Sequence, residues 1–274
     1  MKKLLTVLLS VLVVLTLAGC GGSKDEAADS KKISVACSPT PHAEILAKAK
    51  EILANQGWEL EIVEYEDYVQ PVNVVEDGQI DANYFAHVPY LDNFNQENGT
   101  NQVVVAKVHY EPFGIYPGKK ASLADLEDGD DVIVPNDGSN ETRALLLLQD
   151  NGIIELPEGT GADSLVTKND VVKYNVNINI IEEEAAQIAR SKEDAAVVVL
   201  NGNYALAAGL NVAKDSIAFE KADSSAAQTY VNVLAVKQGN ENNEGIKALA
   251  EVLVSKEIAD YISGTYEGAV IAFN

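Results

Sequence analysis

The chain has 274 residues, 42 of them acidic and 20 basic, for a formal net charge of −22 at pH 7. A surface this acidic repels phosphate backbones and anionic headgroups, which excludes nucleic acid as a principal partner. With 47% hydrophobic residues and two cysteines, the chain can bury a core of one large domain or two ordinary lobes, with no disulfide framework.

In chain order, Lys2 and Lys3 precede an apolar run over residues 4–17, broken only by Thr6, Ser10 and Thr16. A membrane helix needs about 20 apolar residues, so residues 1–19 read as a secretory signal. The run Leu17-Ala18-Gly19-Cys20 resembles a bacterial lipobox, whose cysteine is acylated and becomes the first residue. The competing reading is a cleaved signal with an incidental cysteine; the small neighbours and the polar stretch that follows favour the lipobox. Residues 20–31 hold no large apolar side chain and read as a lipidated, flexible tether, with folded sequence beginning near Lys32. The expected location is the extracytoplasmic face of a cell membrane, reached through lipid on Cys20 and not through a span. Cys37 then lacks a partner and reads as a small buried hydrophobe.

Residues 33–37 read as a buried strand. Thr40 and Pro41 read as the cap and first position of a helix, whose apolar face is Ile45, Leu46, Ala49, Ile52 and Leu53 and whose stop is Gly57. Residues 58–62 alternate as a strand, giving a parallel βαβ unit. Helix 70–77, strand 81–85, helix 89–98 and strand 102–110 follow. A second series runs through strand 131–135, helix 140–151, strand 176–181, helix 182–190 and strand 195–200. A strand at 230–236 and helices at 243–254 and 256–262 close the chain. Two α/β series separated by residues 111–117 predict two lobes, the first from 32–113 and 229–274 and the second from 114–228, with a ligand cleft between them. A single α/β sheet is the alternative.

No Gly-x-Ser-x-Gly, His-Glu-x-x-His, phosphate loop or Cys-x-x-Cys is present, and His42, His87 and His109 are scattered. Neither an enzyme nor a metal or cofactor site is expected. Three segments carry better signals. Tyr68, Phe85, His87 and Tyr90 gather scarce aromatics beside a histidine, either as a pocket lining or as core. Arg143 follows Ser139 or Asn140, one of which should cap the helix. A cation in a first turn opposes the helix dipole, so the pair either receives a carboxylate or leaves an exposed arginine. Asn203 follows an apolar strand, and Asn232 interrupts one, where an unpaired amide costs roughly 1–3 kcal/mol; the latter is a structural bridge or a ligand contact.

These segments resemble the NlpA lipoprotein family, the methionine-binding lipoproteins of ABC importers. Residues 39–46, 81–92, 135–137, 143–145, 184–187, 201–205 and 230–233 carry the likeness, in order, over nearly all of 32–274. The resemblance implies a periplasmic-binding-protein type II fold, two α/β lobes that close on an amino acid. It also implies partners: methionine, an ABC permease and its ATPase, with the protein itself a monomer. By the same resemblance Tyr68, Phe85, His87 and Tyr90 surround a thioether. Arg143 holds the α-carboxylate, with Asn140 a neighbour, and Asn203 and Asn232 fix the carboxylate and ammonium ends. Thr142 stands where the family usually has glycine, which would tighten the ligand loop. A methionine-containing dipeptide or another small amino acid stays open as ligand, and an adhesin or assembly lipoprotein as the rival role. On this reading Arg143→Ala abolishes binding without unfolding the protein.

Overall fold

The computed structural model describes residues 31–221 and 228–273. The signal, Cys20 and almost all of the tether lie outside the described residues; Lys31, read as the tether's last residue, instead opens the first strand.

The first sheet is built from β1 (Lys31–Cys37), β2 (Trp58–Glu64), β3 (Ala82–His87) and β4 (Gln102–Tyr110), joined by β12 (Val231–Lys237) and β13 (Ile271–Ala272). Its order is β13-β4-β12-β3-β1-β2. Strands β1, β2 and β3 are parallel, whereas β12 lies antiparallel between β3 and β4. Strands β3 and β12 sit mid-sheet and are buried along almost their whole length, polar Asn83, His87 and Asn232 included, while the edge strand β2 exposes Glu59, Glu61 and Glu64. Helix α1 (Glu44–Asn55) covers this sheet with Ile45, Leu46, Ala49 and Leu53. Helices α2 (Gln70–Glu76) and α3 (Val88–Asn98) follow.

The second sheet has the order β11-β5-β10-β6-β9. Its strands are β5 (Gly114–Pro117), β6 (Asp131–Pro135), β9 (Asn179–Glu183), β10 (Val197–Leu200) and β11 (Ala218–Phe219); β7 (Ile154–Glu155) pairs β8 (Lys173–Tyr174) apart from it. Helix α4 (Gly138–Asp150) packs on it through Leu145 and Leu148, against Val132, Val134, Val197 and Val199. Helices α5 (Ala185–Ser191) and α6 (Gly202–Ala207) flank β10. The chain passes between the sheets after β4, through Glu111-Pro112-Phe113, and returns after β11. Apolar packing is continuous across the junction, since Tyr116, Ile133, Val198 and Leu200 share one cluster with Val35, Ile45 and Leu234. No helix of the described residues is long and apolar enough to cross a membrane.

Several elements depart from expectation for local reasons. Thr40 is extended (φ −132°, ψ 139°), and the Thr40–Pro41 bond is cis, so Pro39–Ala43 is a turn and α1 starts at Glu44 with no side-chain cap. That turn carries His42 into the interior. The linker's second half is strand β5, whose Ile115 and Tyr116 are buried and which pairs β10 and β11. Gly118 just beyond it is obligatory: a Cβ there would stand 2.4 Å from the carbonyl oxygens of Lys192 and Ala195. Glu182 and Glu183 lie in strand β9, not in a helix, because they continue the parallel register with Val134 and Pro135.

Candidate ligand-binding site

Between the sheets lies a narrow cleft lined by Tyr68, Phe85, His87, Tyr90, Asn140, Arg143, Asn203 and Asn232. The structure therefore brings together all eight residues singled out from the sequence. Ala86, Glu111, Asn201 and Gly202 complete the wall.

One end is aromatic. Tyr68 precedes α2, Phe85 and His87 end β3, and Tyr90 stands in the first turn of α3. The Tyr68 ring lies 5.6 Å from Phe85, 5.5 Å from Tyr90 and 4.9 Å from Tyr204, centroid to centroid. Hydrogen bonds fix these rings: Tyr68 OH donates to Asn203 Oδ1 at 2.6 Å, and Tyr90 OH to the Tyr68 carbonyl at 2.9 Å. His87 is the N-cap of α3, because its Nδ1 accepts the Tyr90 N–H at 3.1 Å. Its proton must then sit on Nε2, which donates to Asn140 Oδ1 at 3.0 Å. Burial and the Arg143 charge push His87 down to about 3, so the ring is neutral at pH 7.

The other end is polar and is organised by α4. Asp137 caps this helix, accepting from Asn140 N, so neither Ser139 nor Asn140 is the cap and Arg143 stands in the second turn. Asn140 is a hub. Its Nδ2 donates to both oxygens of Asp137, at 2.8 and 2.9 Å, while its Oδ1 also accepts from Asn201 Nδ2 at 2.8 Å. Arg143 is 3% exposed, not solvent-facing. Its Nε and Nη2 hold the carboxylate of Glu220 at 2.8 and 2.6 Å, and Nη2 also donates to the Glu111 carbonyl at 2.9 Å. The guanidinium lies 4.3 Å from the Tyr230 ring centroid and 4.8 Å from that of Phe113. Thus one side chain from the second sheet grips both segments that cross between the sheets. Thr142 is buried away from the cavity: its hydroxyl bonds the Gly138 carbonyl and the main chain of Val166, tying α4 to a neighbouring loop.

The sequence profile of the NlpA lipoprotein family matches residues 33–273. This chain belongs to the NlpA lipoprotein family. The methionine-binding lipoprotein MetQ of Bacillus subtilis is 38% identical over 275 residues, spanning 99% of this chain and 98% of that one. Among solved structures, a lipoprotein from Ruminococcus gnavus is 58% identical with a TM-score of 0.87, over 89% of this chain and 100% of that one. A nutrient-binding protein from Burkholderia cenocepacia, solved bound to methionine, is 35% identical with a TM-score of 0.84, over 88% and 100%. The two sheets and this likeness place the NlpA chain in the two-lobe periplasmic-binding-protein type II fold, as the sequence segments imply.

In this NlpA lipoprotein a second polar cluster backs the cavity. His42 Nε2 bonds Asn232 Oδ1 at 3.0 Å and lies 3.4 Å from Glu111 Oε1, which His109 Nε2 meets at 2.7 Å. Tyr84 OH meets the other nitrogen of His109. His42, His109 and Glu111 have donor atoms within 4.8 Å of one another, the grouping among the described residues that could hold a metal ion. Each nitrogen facing Glu111 already has an acceptor, whereas His42 Nδ1 is buried with no hydrogen-bond partner among the described residues. Sequence reading passed over Glu111, Asp137 and Glu220, and took Asn201 only as part of the polar segment expected to face the cleft. Asn201 lies two residues before Asn203 in one polar turn; nothing distinguishes the carboxylates among 42 acidic residues.

Burial also pushes His42 down to about 4 and His109 to about 3. Each of the three rings binds its proton more readily in the unfolded chain. Their contribution is therefore complete above the ordinary value of 6.5, declines progressively below it, and is fully lost once pH has fallen through about 4 for His42 and about 3 for His87 and His109. Glu141 acts oppositely: burial foremost, then Glu182, raises it to about 7, so between 4.5 and 7 acid favours the fold. Because three rings outweigh one carboxyl, the unfolding free energy, followed through the urea midpoint, should fall from about pH 6.5 downward, by up to about 1.4 kcal/mol per pH unit for each ring, and more steeply below pH 4.5, where Glu141 no longer offsets them. A flat midpoint down to pH 3.5 would contradict the neutral, buried state of these histidines.

Proposed function

We propose that the chain captures methionine in this cleft and delivers it to an ABC permease and its ATPase, without covalent chemistry. The observation that carries the reading is the two-ended cavity, rings at one end and Arg143 with side-chain amides at the other, in a relative of methionine-binding lipoproteins. A thioether against aromatic rings gains about 0.3–1.5 kcal/mol per contact, which suits Tyr68, Phe85 and Tyr90. Arg143 receives the α-carboxylate through Nη1, since Glu220 already anchors Nε and Nη2. Asn203 and Asn232 orient the ligand's two charged ends, and Asn140 fixes His87 beside it. Residues 32–113 with 229–274 form one lobe and 114–228 the other, closing on the ligand as a monomer. Two acyl chains on Cys20 keep the body at the outer face of the membrane, since one anchors only marginally.

Calorimetry on lipid-free protein, stripped of ligand by unfolding and refolding, tests this. L-methionine is expected to bind one to one, with D-methionine and methionine dipeptides ranked against it and against the other amino acids. Absence of heat with all methionine compounds overturns the ligand assignment. Absence of heat with every amino acid, together with no small adduct in native mass spectra, favours an adhesin or assembly role.

A further inference from the structure

Glu111 lies where the chain leaves the first sheet, 5% exposed and lining the cavity beside Asn203 and Asn232. The nitrogens within ion-pair range of its carboxylate, among the described residues, are those of His42 and His109. Both rings are kept neutral by burial. His42 points Nε2 at an amide oxygen, so that nitrogen carries a proton. The Asn203 backbone N–H also donates to Glu111. Burial raises this carboxyl above its ordinary value, while the N–H groups of His42 and the Asn203 backbone favour the ionised form.

An ionised carboxylate buried this deeply needs a compensating cation, because donors alone do not repay the loss of hydration. Arg143 does not supply it directly: its fork holds the carboxylate of Glu220, and it reaches Glu111 only at the main-chain carbonyl. A second acceptor waits in the same wall. Asn201 lines the cavity, and its Oδ1 is buried with no hydrogen-bond partner among the described residues. Gly202 makes room for the arrangement, since a Cβ there would stand 2.7 Å from Glu111 Cβ and 2.8 Å from its Oε2.

We propose that Glu111 is the counter-charge for the ligand's α-ammonium, and that it restricts the site to compounds bearing a free α-amino group. The inference rests on the amino-acid-binding reading above and adds to it a charged contact where only amides were assigned. His42 and His109 are positioning residues, holding the carboxylate toward the cavity without touching the ligand. Asn201 Oδ1 accepts a second ammonium hydrogen. The closed site then sets three anions, Glu111, Glu220 and the ligand carboxylate, against two cations, the ammonium and Arg143.

The test compares L-methionine with 4-(methylthio)butanoate, which lacks only the amino group, on wild type and on Glu111→Gln. Wild type should bind methionine at least about 100-fold more tightly than the desamino acid. Glu111→Gln should weaken methionine by about 30-fold or more, as for removal of one partner of a buried charge pair, while desamino affinity stays level or rises. Equal loss for both ligands, or unchanged methionine affinity, overturns the assignment of Glu111 and leaves the ligand reading intact. Failure of wild type to bind any amino acid overturns both. If the variant does not fold, wild type alone decides: comparable affinity for the two compounds overturns the proposal.

Discussion

Arg143→Ala should abolish methionine binding and also lower the stability of the ligand-free protein by about 3–5 kcal/mol, the usual cost of stranding one half of a buried ion pair. The partner left behind is Glu220, whose carboxylate keeps, among the described residues, Tyr110 OH at 2.6 Å and the Phe113 N–H at 3.0 Å. Cation–ring contacts with Tyr230 and Phe113 disappear as well. This differs from the expectation that the substitution spares the fold, which took Arg143 to be in a first turn facing only ligand. Adding Glu220→Gln removes the stranded charge. The double variant should regain most of the lost urea midpoint while binding stays absent. Methionine affinity within threefold of wild type in Arg143→Ala would remove the arginine from the carboxylate site. An unchanged urea midpoint would contradict its pairing with Glu220.

Asn140→Asp should destabilise the protein by about 3 kcal/mol or more at pH 8, and much less at pH 5. The wild-type amide donates to both oxygens of Asp137, whose carboxyl burial already raises despite the bonds from Asn140 and Ser139. Replacing that donor with a carboxylate sets two anions about 3 Å apart, and such a pair retains a proton well above the ordinary range. The penalty is present above that raised value and is relieved as pH falls through it. His87 and Asn201 still find an acceptor at the substituted position, so the effect isolates the contact with Asp137. Thermal midpoints between pH 5 and 8 should diverge from wild type on the alkaline side. Parallel profiles would mean that Asp137 does not face this side chain.

The site was legible because its members sit at the ends of strongly patterned elements. Phe85 and His87 close an apolar strand, Tyr90 follows a proline in a first turn, and Asn232 is a lone amide in an apolar run. Such residues stand out against their neighbours. What escaped notice has no such contrast. Glu111 and Glu220 look like any other acidic residue, and only the fold shows that both are buried against the same arginine. The helix start was misplaced because Asp137, Ser139 and Asn140 all cap well, and Gly138 between them reads as a breaker. Strand β5 spans four residues between prolines, too short for periodicity to register. Glu182-Glu183 reads as a solvated helix face, since β-sheet register is non-local information.

Strand β12, set between β3 and β4, has a consequence for how the molecule is made. Until residue 237 has been joined to the chain, β3 and β4 each present an open edge, and about 120 residues of another sheet intervene. The first lobe therefore cannot mature ahead of the second, and closing so long a loop makes folding slow. Fragments ending before β12 should be aggregation-prone, whereas a separately supplied C-terminal piece has a ready-made slot to enter. Chaperone dependence, not ligand chemistry, is where truncating mutations in the last fifth of this chain should first be felt.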